Sequence, residues 1–479
     1  MALGGSRSGR QAEQMDRLTP LAASFLEAED VDPTASLSIG SFAIFEGPAP
    51  DFDEFVRSIE GRLPLIPRYR QKLRGVAFGL AAPAWVDDPD FDLHWHIRST
   101  ALPAPGGRGE IERLLSRVMS RRMDRNRPLW EYWFCEGLEG GRWGLLSKMH
   151  HSMVDGVSGT DLYRLVLDST PVPRAPEPDE WHPASPSTAL SFTARAVLDL
   201  ITSPVRAAGA ATRALAAPRR LMRATAAGAQ GVWTLAGALP PVRVTSLTGK
   251  LNGSRRYTWT DVALSDVRAV RTSYHVSVND VALAAVTAGF RRLLISRGET
   301  PDAHSLRSLV PVSMRAPGQE SIADNRVSLM LPYLPVDLLD PVERLESVHA
   351  RIRSLRDGHE PEGGASITTL AEYGPFAPVS WGIRLGLRFP QRQVATVTTN
   401  VPGPRETLYA LGHELHELLP YVPIADRVRI GVAIFSYRDT LTFGITGDYD
   451  TAPDLEVLAD GISEAVHELL REAQGAASV

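Results

Sequence analysis

Hydrophobic and polar positions along this chain switch period repeatedly, and the switches predict alternating strands and helices. Leu37 to Gly47, LSIGSFAIFEG, alternates apolar with small or polar side chains and closes on Gly-Pro, the period of a half-buried strand. The next stretch carries Phe52, Phe55, Val56 and Ile59 at helical spacing until Pro64 and Pro67 stop it. RWGLLSKMHH predicts another strand, and SGTDLYRLVLDST a helix with Leu162, Leu165 and Val166 on one face. Past residue 245 the pattern resumes. SRRYTWTDVAL predicts a strand and SDVRAVRTSY a helix, and SVNDVALAAVTAGFRRLLISRG a long helix with Val281, Ala285, Val286 and Leu293 on a shared side. LRSLVPVSMR, NRVSLMLPYLPV, QVATVTTNVPGP, VRIGVAIFSY and TLTFGITGDYD predict further strands. Strands and helices alternating in both halves imply a mixed α/β fold in two domains with a cleft between them.

The punctuation between the halves sets the expected boundaries. Residues 1–14, rich in Gly, Ser and Arg without an apolar run, read as a disordered tail. Residues 15–185 form a first domain, ending in the proline-rich STPVPRAPEPDEWHPASPS, which suits an exposed linker. Residues 186–244 are Ala-rich and basic: between Ala189 and Arg243, Arg195, Arg206, Arg213, Arg219, Arg220, Arg223 and Arg243 face the single acid Asp199. A helical crossover is expected there, and residues 245–479 make the second domain. The uncharged run Ala224 to Val242 contains Gln230 and ends on two prolines, so it argues against a membrane-spanning helix.

Composition narrows the chemistry. The chain has 479 residues, more than one core normally spans, and its 51 basic residues are mixed among 56 acidic ones for a net charge of -5. No field favours nucleic acid. Cys135 is the only cysteine, which excludes an intramolecular disulfide and cysteine-built metal sites and fits a reducing, cytoplasmic compartment.

Candidate chemistry centres on SKMHHSMVDGVSG, Ser147 to Gly159. Consecutive strand residues point to opposite faces, so His150 and His151 cannot both address one cavity while the strand stays regular. A lone histidine here would read as a buried ring held by a backbone carbonyl. Asp155, placed to orient a partner, and Gly156, open to close approach by a ligand, favour a reaction centre. A neutral imidazole, ordinarily titrating near 6.5, suits proton abstraction from an alcohol. The nearby ligands are too few for a metal site, and no metal is expected. Ser158 with Asp161 reads as a helix cap, and Cys135 in WFCEG as a core thiol. Ser277 with Asp280 is again a capping pattern, which leaves Asn279 in the first helical turn, where backbone N–H groups favour an oxyanion. Asn400, Pro402 and Gly403 in TNVPGP form a stiff turn, with Gly403 free to take a positive φ, or shape a channel wall.

Together these residues resemble a known family. HHSMVDG matches the HHxxxDG signature of acyl-CoA-dependent acyltransferases that share the chloramphenicol acetyltransferase and condensation-domain fold. RPLWEYWFCEGLEGG, VNDVALA, SLVPVSMR, DNRVSLMLP and TNVPGP follow in the order of the bacterial wax ester synthase/diacylglycerol acyltransferase family, from about Met15 to Asp450. The resemblance implies two chloramphenicol-acetyltransferase-like domains with a tunnel at their interface, and acyl-CoA as a substrate with no cofactor. It implies His151 as general base beside His150, a mainly structural Asp155, the pair Asn279 and Asp280, and a substrate contact at Pro128, Leu129 and Trp130. Where many relatives carry Met-His-Val-Gly this chain has LSIGS, which leaves the acceptor-site role of that strand unassigned. The acceptor would be diacylglycerol or a long-chain alcohol. The basic segment would dock the enzyme on an anionic membrane or lipid-body surface, with Leu198, Leu200 and Trp233 nearer the acyl layer. Two alternatives stay open: a condensation enzyme using carrier-bound substrates, and a non-catalytic lipid-body protein.

Overall fold

The computed structural model describes residues 16–75, 82–154, 163, 165–184, 241–313, 327–357 and 391–476. The N-terminal tail, Asp155, Gly156, the Ser158–Asp161 cap and nearly all of the basic segment 186–244 lie outside them.

In the first half, helix α1 (Pro20–Val31) starts on Thr19, whose hydroxyl accepts the Ala22 N–H, with proline at the first helical position. Strand β1 (Ser38–Phe45) and helix α2 (Phe52–Glu60) follow where the period predicts them, and α2 gives way to short 3₁₀ turns at the two prolines. A two-stranded ribbon, β2 (Gln71–Arg74) with β3 (Ala84–Asp87), leads to helix α3 (Leu93–His96) and strand β4 (Ile97–Ala101). Then come helix α4 (Arg108–Met119) and strands β5 (Trp130–Leu138) and β6 (Arg142–His150). The proline-rich stretch is exposed but not loose, since Arg70 pairs with Asp179 and lies over the Trp181 ring at 4.8 Å.

The second half contains β7 (Arg255–Ala263), α5 (Leu264–Tyr274), α6 (Val278–Ser296), β8 (Ser308–Ser313), β9 (Val327–Met330) and α7 (Pro341–Arg356). It continues through β10 (Thr396–Val401), β11 (Tyr409–Ala410), β12 (His413–Tyr421), β13 (Ile430–Tyr437), β14 (Thr440–Asp448) and α8 (Leu455–Ala476).

Two six-stranded mixed sheets result, in the orders β11-β12-β1-β6-β5-β4 and β7-β14-β13-β10-β8-β9. The mixed α/β fold expected from the sequence is therefore present. Strand pairing crosses residue 245, because β11 and β12 leave the second half and β12 pairs antiparallel with β1 of the first sheet. Strand β1 also differs from the half-buried expectation. Phe42 and Ile44 face a core shared with α4, Ala43 and Phe45 face the opposite core, and a central strand between two layers is buried on both sides.

The period-2 pattern of β13 and β14 explains how the sheets meet. Ile430, Val432, Ile434, Leu441, Phe443 and Ile445 point into a core with α6 and α8, while Phe435 and Tyr437 enter the core of the first half. Gly444 on β14 lies against β12: a Cβ there would stand 1.9 Å from the Pro420 carbonyl oxygen. The Tyr257 hydroxyl donates to that same oxygen at 2.9 Å, and the Trp259 indole donates to Glu417 at 3.1 Å. Among the described residues no helix is long and apolar enough to cross a membrane.

Candidate active site

Strand β6 ends at His150, and His151 opens a 3₁₀ turn, His151–Val154. That early end changes the expected geometry. The strand rule would send the two rings to opposite faces, but both meet α1. His151 stacks on Phe25, ring centroids 4.1 Å apart, and His150 points its Nε2 toward Glu29 Oε1 at 3.5 Å. Phe25 and Glu29 are one helical turn apart, so a single face of α1 addresses both.

The two imidazoles have different environments. His150 is 1% exposed, and Ser152 brings its hydroxyl (2.7 Å) and its backbone N–H (3.1 Å) to Nδ1. A backbone N–H can only donate, so Nδ1 offers a lone pair and the hydrogen sits on Nε2. His151 is half-buried and its backbone N–H donates to Leu37 O at 3.1 Å. Burial, and after it the proximity of His150, push the His151 ring down to about 4. A ring held neutral keeps a lone pair on one of its two nitrogens.

Some important neighbours have no sequence signature. Tyr163, just past the motif, donates its hydroxyl to Ser41 Oγ at 2.8 Å, and Ser41 Oγ lies 3.0 Å from Ser147 Oγ across β1 and β6. Its ring meets Phe435 edge-on at 5.7 Å, bridging the two sheets, and burial pushes its hydroxyl up to about 12. Glu29, Ser152 and Phe25 were equally unmarked; helical spacing could place Phe25 and Glu29 on one face, but nothing local names their partners.

The second half supplies an amide pair. Asn400, at the end of β10, donates from Nδ2 to Asn279 Oδ1 at 3.0 Å, and Asn279 lies in the first turn of α6. With its oxygen taken, Asn279 has amide hydrogens to offer. Val401 pairs with Phe435, which shares an apolar cluster with Met149 and Met153 on either side of the histidines. The carboxylate of Asp280 closes the predicted capping box, taking the Ser277 N–H at 2.9 Å, and meets His349 Nδ1 at 2.9 Å. Both contacts fall on Oδ2, which ties the helix start to α7.

Two expectations need correction. Gly403 does not take a positive φ; it is needed because a Cβ would stand 2.0 Å from Ser436 O and 2.4 Å from the Phe435 ring. Gly403 N–H donates to Ser436 Oγ at 3.1 Å, and Pro402 beside it is exposed. Trp130 is not on a channel: it is 0% exposed, stacked between Tyr69 (4.3 Å) and His96 (4.6 Å), with its indole donating to Tyr69 O. Pro128 and Leu129 are buried beside it, and Leu129 O accepts the His150 N–H at 2.9 Å, so this element supports the strand end. Cys135 is buried in the core, which pushes its thiol up to about 12.

The fold defines the broad class. It is similar over 96% of the chain to the first condensation domain of the calcium-dependent antibiotic synthetase (97% of that chain, TM-score 0.59, 14% identity), a likeness of fold alone. The chain belongs to the wax ester synthase/diacylglycerol acyltransferase family, whose catalytic domain matches residues 18–282 and whose C-terminal domain matches residues 323–470. It is 42% identical over 459 residues to the probable diacylglycerol O-acyltransferase tgs1 of Mycobacterium tuberculosis, covering 95% of this chain and 96% of that protein. It is also similar to the wax ester synthase/diacylglycerol acyltransferase from Marinobacter aquaeolei VT8, at 27% identity and TM-score 0.65 over 96% of this chain and 100% of that one. The protein is therefore an acyltransferase.

Proposed function

We propose that the protein transfers the acyl group of acyl-CoA directly to the hydroxyl of diacylglycerol or a long-chain alcohol, giving triacylglycerol or wax ester, with His151 as general base. The observation that carries this reading is a half-buried imidazole, stacked on Phe25 and held down to about 4, so that the ring is neutral and keeps a nitrogen lone pair throughout the cellular pH range. The imidazole lone pair accepts the hydroxyl proton while the oxygen attacks the thioester carbonyl. The carbon–oxygen bond forms, the carbon–sulfur bond breaks, and the imidazolium returns its proton to the departing thiolate. A low value disfavours the imidazolium, so the adjacent oxyanion must offset its charge; the amide hydrogens of Asn279, whose oxygen accepts from Asn400, are suited to holding that oxyanion. Acyl-CoA is a substrate, and the step needs neither cofactor nor acyl-enzyme.

The names of the relatives support diacylglycerol as acceptor. The basic character of residues 186–244 supports docking on an anionic membrane or lipid-body surface at the cytoplasmic side. Purified protein incubated with labelled palmitoyl-CoA and a panel of acceptors should release labelled neutral lipid. His151→Ala should lower kcat on the order of 10²- to 10⁴-fold while remaining folded. Near-normal turnover in that variant removes His151 from the mechanism.

A further inference from the structure

Glu29 is a buried acid that the transfer step does not use. Its side chain is 2% exposed on α1, and three groups converge on it from three different segments. Leu37 N–H donates to Oε1 at 2.7 Å from the start of β1, Arg125 donates to Oε2 at 3.0 Å from the loop before β5, and His150 Nε2 faces Oε1 at 3.5 Å from the end of β6. Among the described residues His150 Nε2 has no hydrogen-bond partner, and the Glu29 carboxylate at 3.5 Å is the charge it faces. Burial alone would raise the carboxyl, but its interactions with His150, Leu37 and Arg125 outweigh this and hold it at about 2, so it is an anion.

Two short paths lead from this anion to His151. Leu37 gives its N–H to Glu29 and its carbonyl accepts the His151 N–H at 3.1 Å, so one residue ties the carboxylate to the catalytic backbone. His150 faces Glu29 with Nε2 and takes the Ser152 N–H on Nδ1, which anchors the first turn of the 3₁₀ segment that carries His151. If the hydrogen moved to Nδ1, two donors would face each other at 3.1 Å and the turn would lose that anchor.

We propose that Glu29 is a positioning residue for the acyl transfer: its buried carboxylate holds the His150 hydrogen on Nε2 and fixes Leu37, and through both it sets the backbone turn that aims His151. This rests on His151 as the base. Glu29 touches no reacting atom, and its action is charge and geometry passed through His150.

The test is a cycle. Glu29→Gln removes the charge and keeps one oxygen for Leu37; Glu29→Leu removes both. Turnover of palmitoyl-CoA and diacylglycerol should fall about tenfold in the first and about a hundredfold in the second, with KM for palmitoyl-CoA within about twofold in each. His150→Asn leaves an oxygen for the Ser152 N–H but nothing that reaches Glu29, so in that background Glu29→Gln should change kcat by less than about twofold. Folded Glu29 variants with the normal kcat overturn the proposal, as does an equal loss with and without His150. Should the Glu29 variants fail to fold, nitrogen NMR of histidine-labelled wild-type protein decides. His150, assigned through His150→Asn, should carry its hydrogen on Nε2, and a hydrogen on Nδ1 overturns the role. His151→Ala, run alongside, tests the base assignment separately, and the NMR result judges Glu29 whichever way that comes out.

Discussion

The Phe25–His151 stack makes a prediction that can be worked quantitatively. Phe25 supplies an apolar wall 4.1 Å from the imidazole with 27° between the planes, and burial is the first cause of the ring's descent to about 4. Phe25→Ala replaces that wall with space open to water, so the ring should climb toward, but not reach, its ordinary value of about 6.5. The active form is neutral, and activity is lost as pH falls through the ring's value. With the wild-type ring at about 4, roughly 97% of molecules are competent at pH 5.5, whereas a variant at about 6 would have roughly a quarter competent. The ratio is about fourfold at pH 5.5 and vanishes near pH 8. It adds to any pH-independent loss from removing the stack, for which aromatic pairs contribute about 0.5–1.5 kcal/mol beyond area. The assay is kcat/KM for palmitoyl-CoA from pH 4 to 9 with diacylglycerol in mixed micelles, in buffers of constant ionic strength. A wild-type acid limb near 6.5, or a Phe25→Ala limb that stays near 4, refutes the claim that this wall sets the protonation of His151.

Two further substitutions separate support from chemistry. Trp130→Ala should cost about 3–5 kcal/mol in urea unfolding, since it empties a fully buried stack between Tyr69 and His96, and should leave acyl-chain preference unchanged; an altered chain-length profile at normal stability would return Trp130 to the acyl channel. Gly444→Ala forces a methyl group against the Pro420 carbonyl and should lose about 1–3 kcal/mol along with turnover, because it parts the two sheets; an unchanged unfolding midpoint would show that the contact yields without strain.

What could be read from the sequence was local. Period and punctuation located β1, α2, β6, β7, α6 and β14, and the capping box of Ser277 with Asp280 formed as the spacing predicted. Partners distant in the chain could not be read. Nothing near His413 to Tyr421 indicates that this strand joins β1, about 370 residues earlier, in a pairing that runs across residue 245. The motif histidines were visible, but the end of the strand between them was not, so the rule of alternating faces failed at the one step where it mattered. Trp130 shows the same limit: an aromatic beside a motif can line a channel or fill a core, and only the positions of Tyr69 and His96 decide.

The exchanged strand also bears on how the site keeps its shape. His151 stands at the end of β6 in the first sheet, and the Asn279–Asn400 pair stands at the ends of α6 and β10 in the second half. Separating the sheets as two hinged bodies would have to break the β1–β12 ladder from Gly40 with Tyr421 to Phe45 with Leu415, or tear β12 away from β14 at Gly444 and Pro420. Ladder bonds and buried contact act together there, whereas a hinge needs an interface that parts cheaply. His151, the proposed base, and the amide pair are thus carried on one braced frame, and a hinge between the sheets is the costly way to admit a lipid.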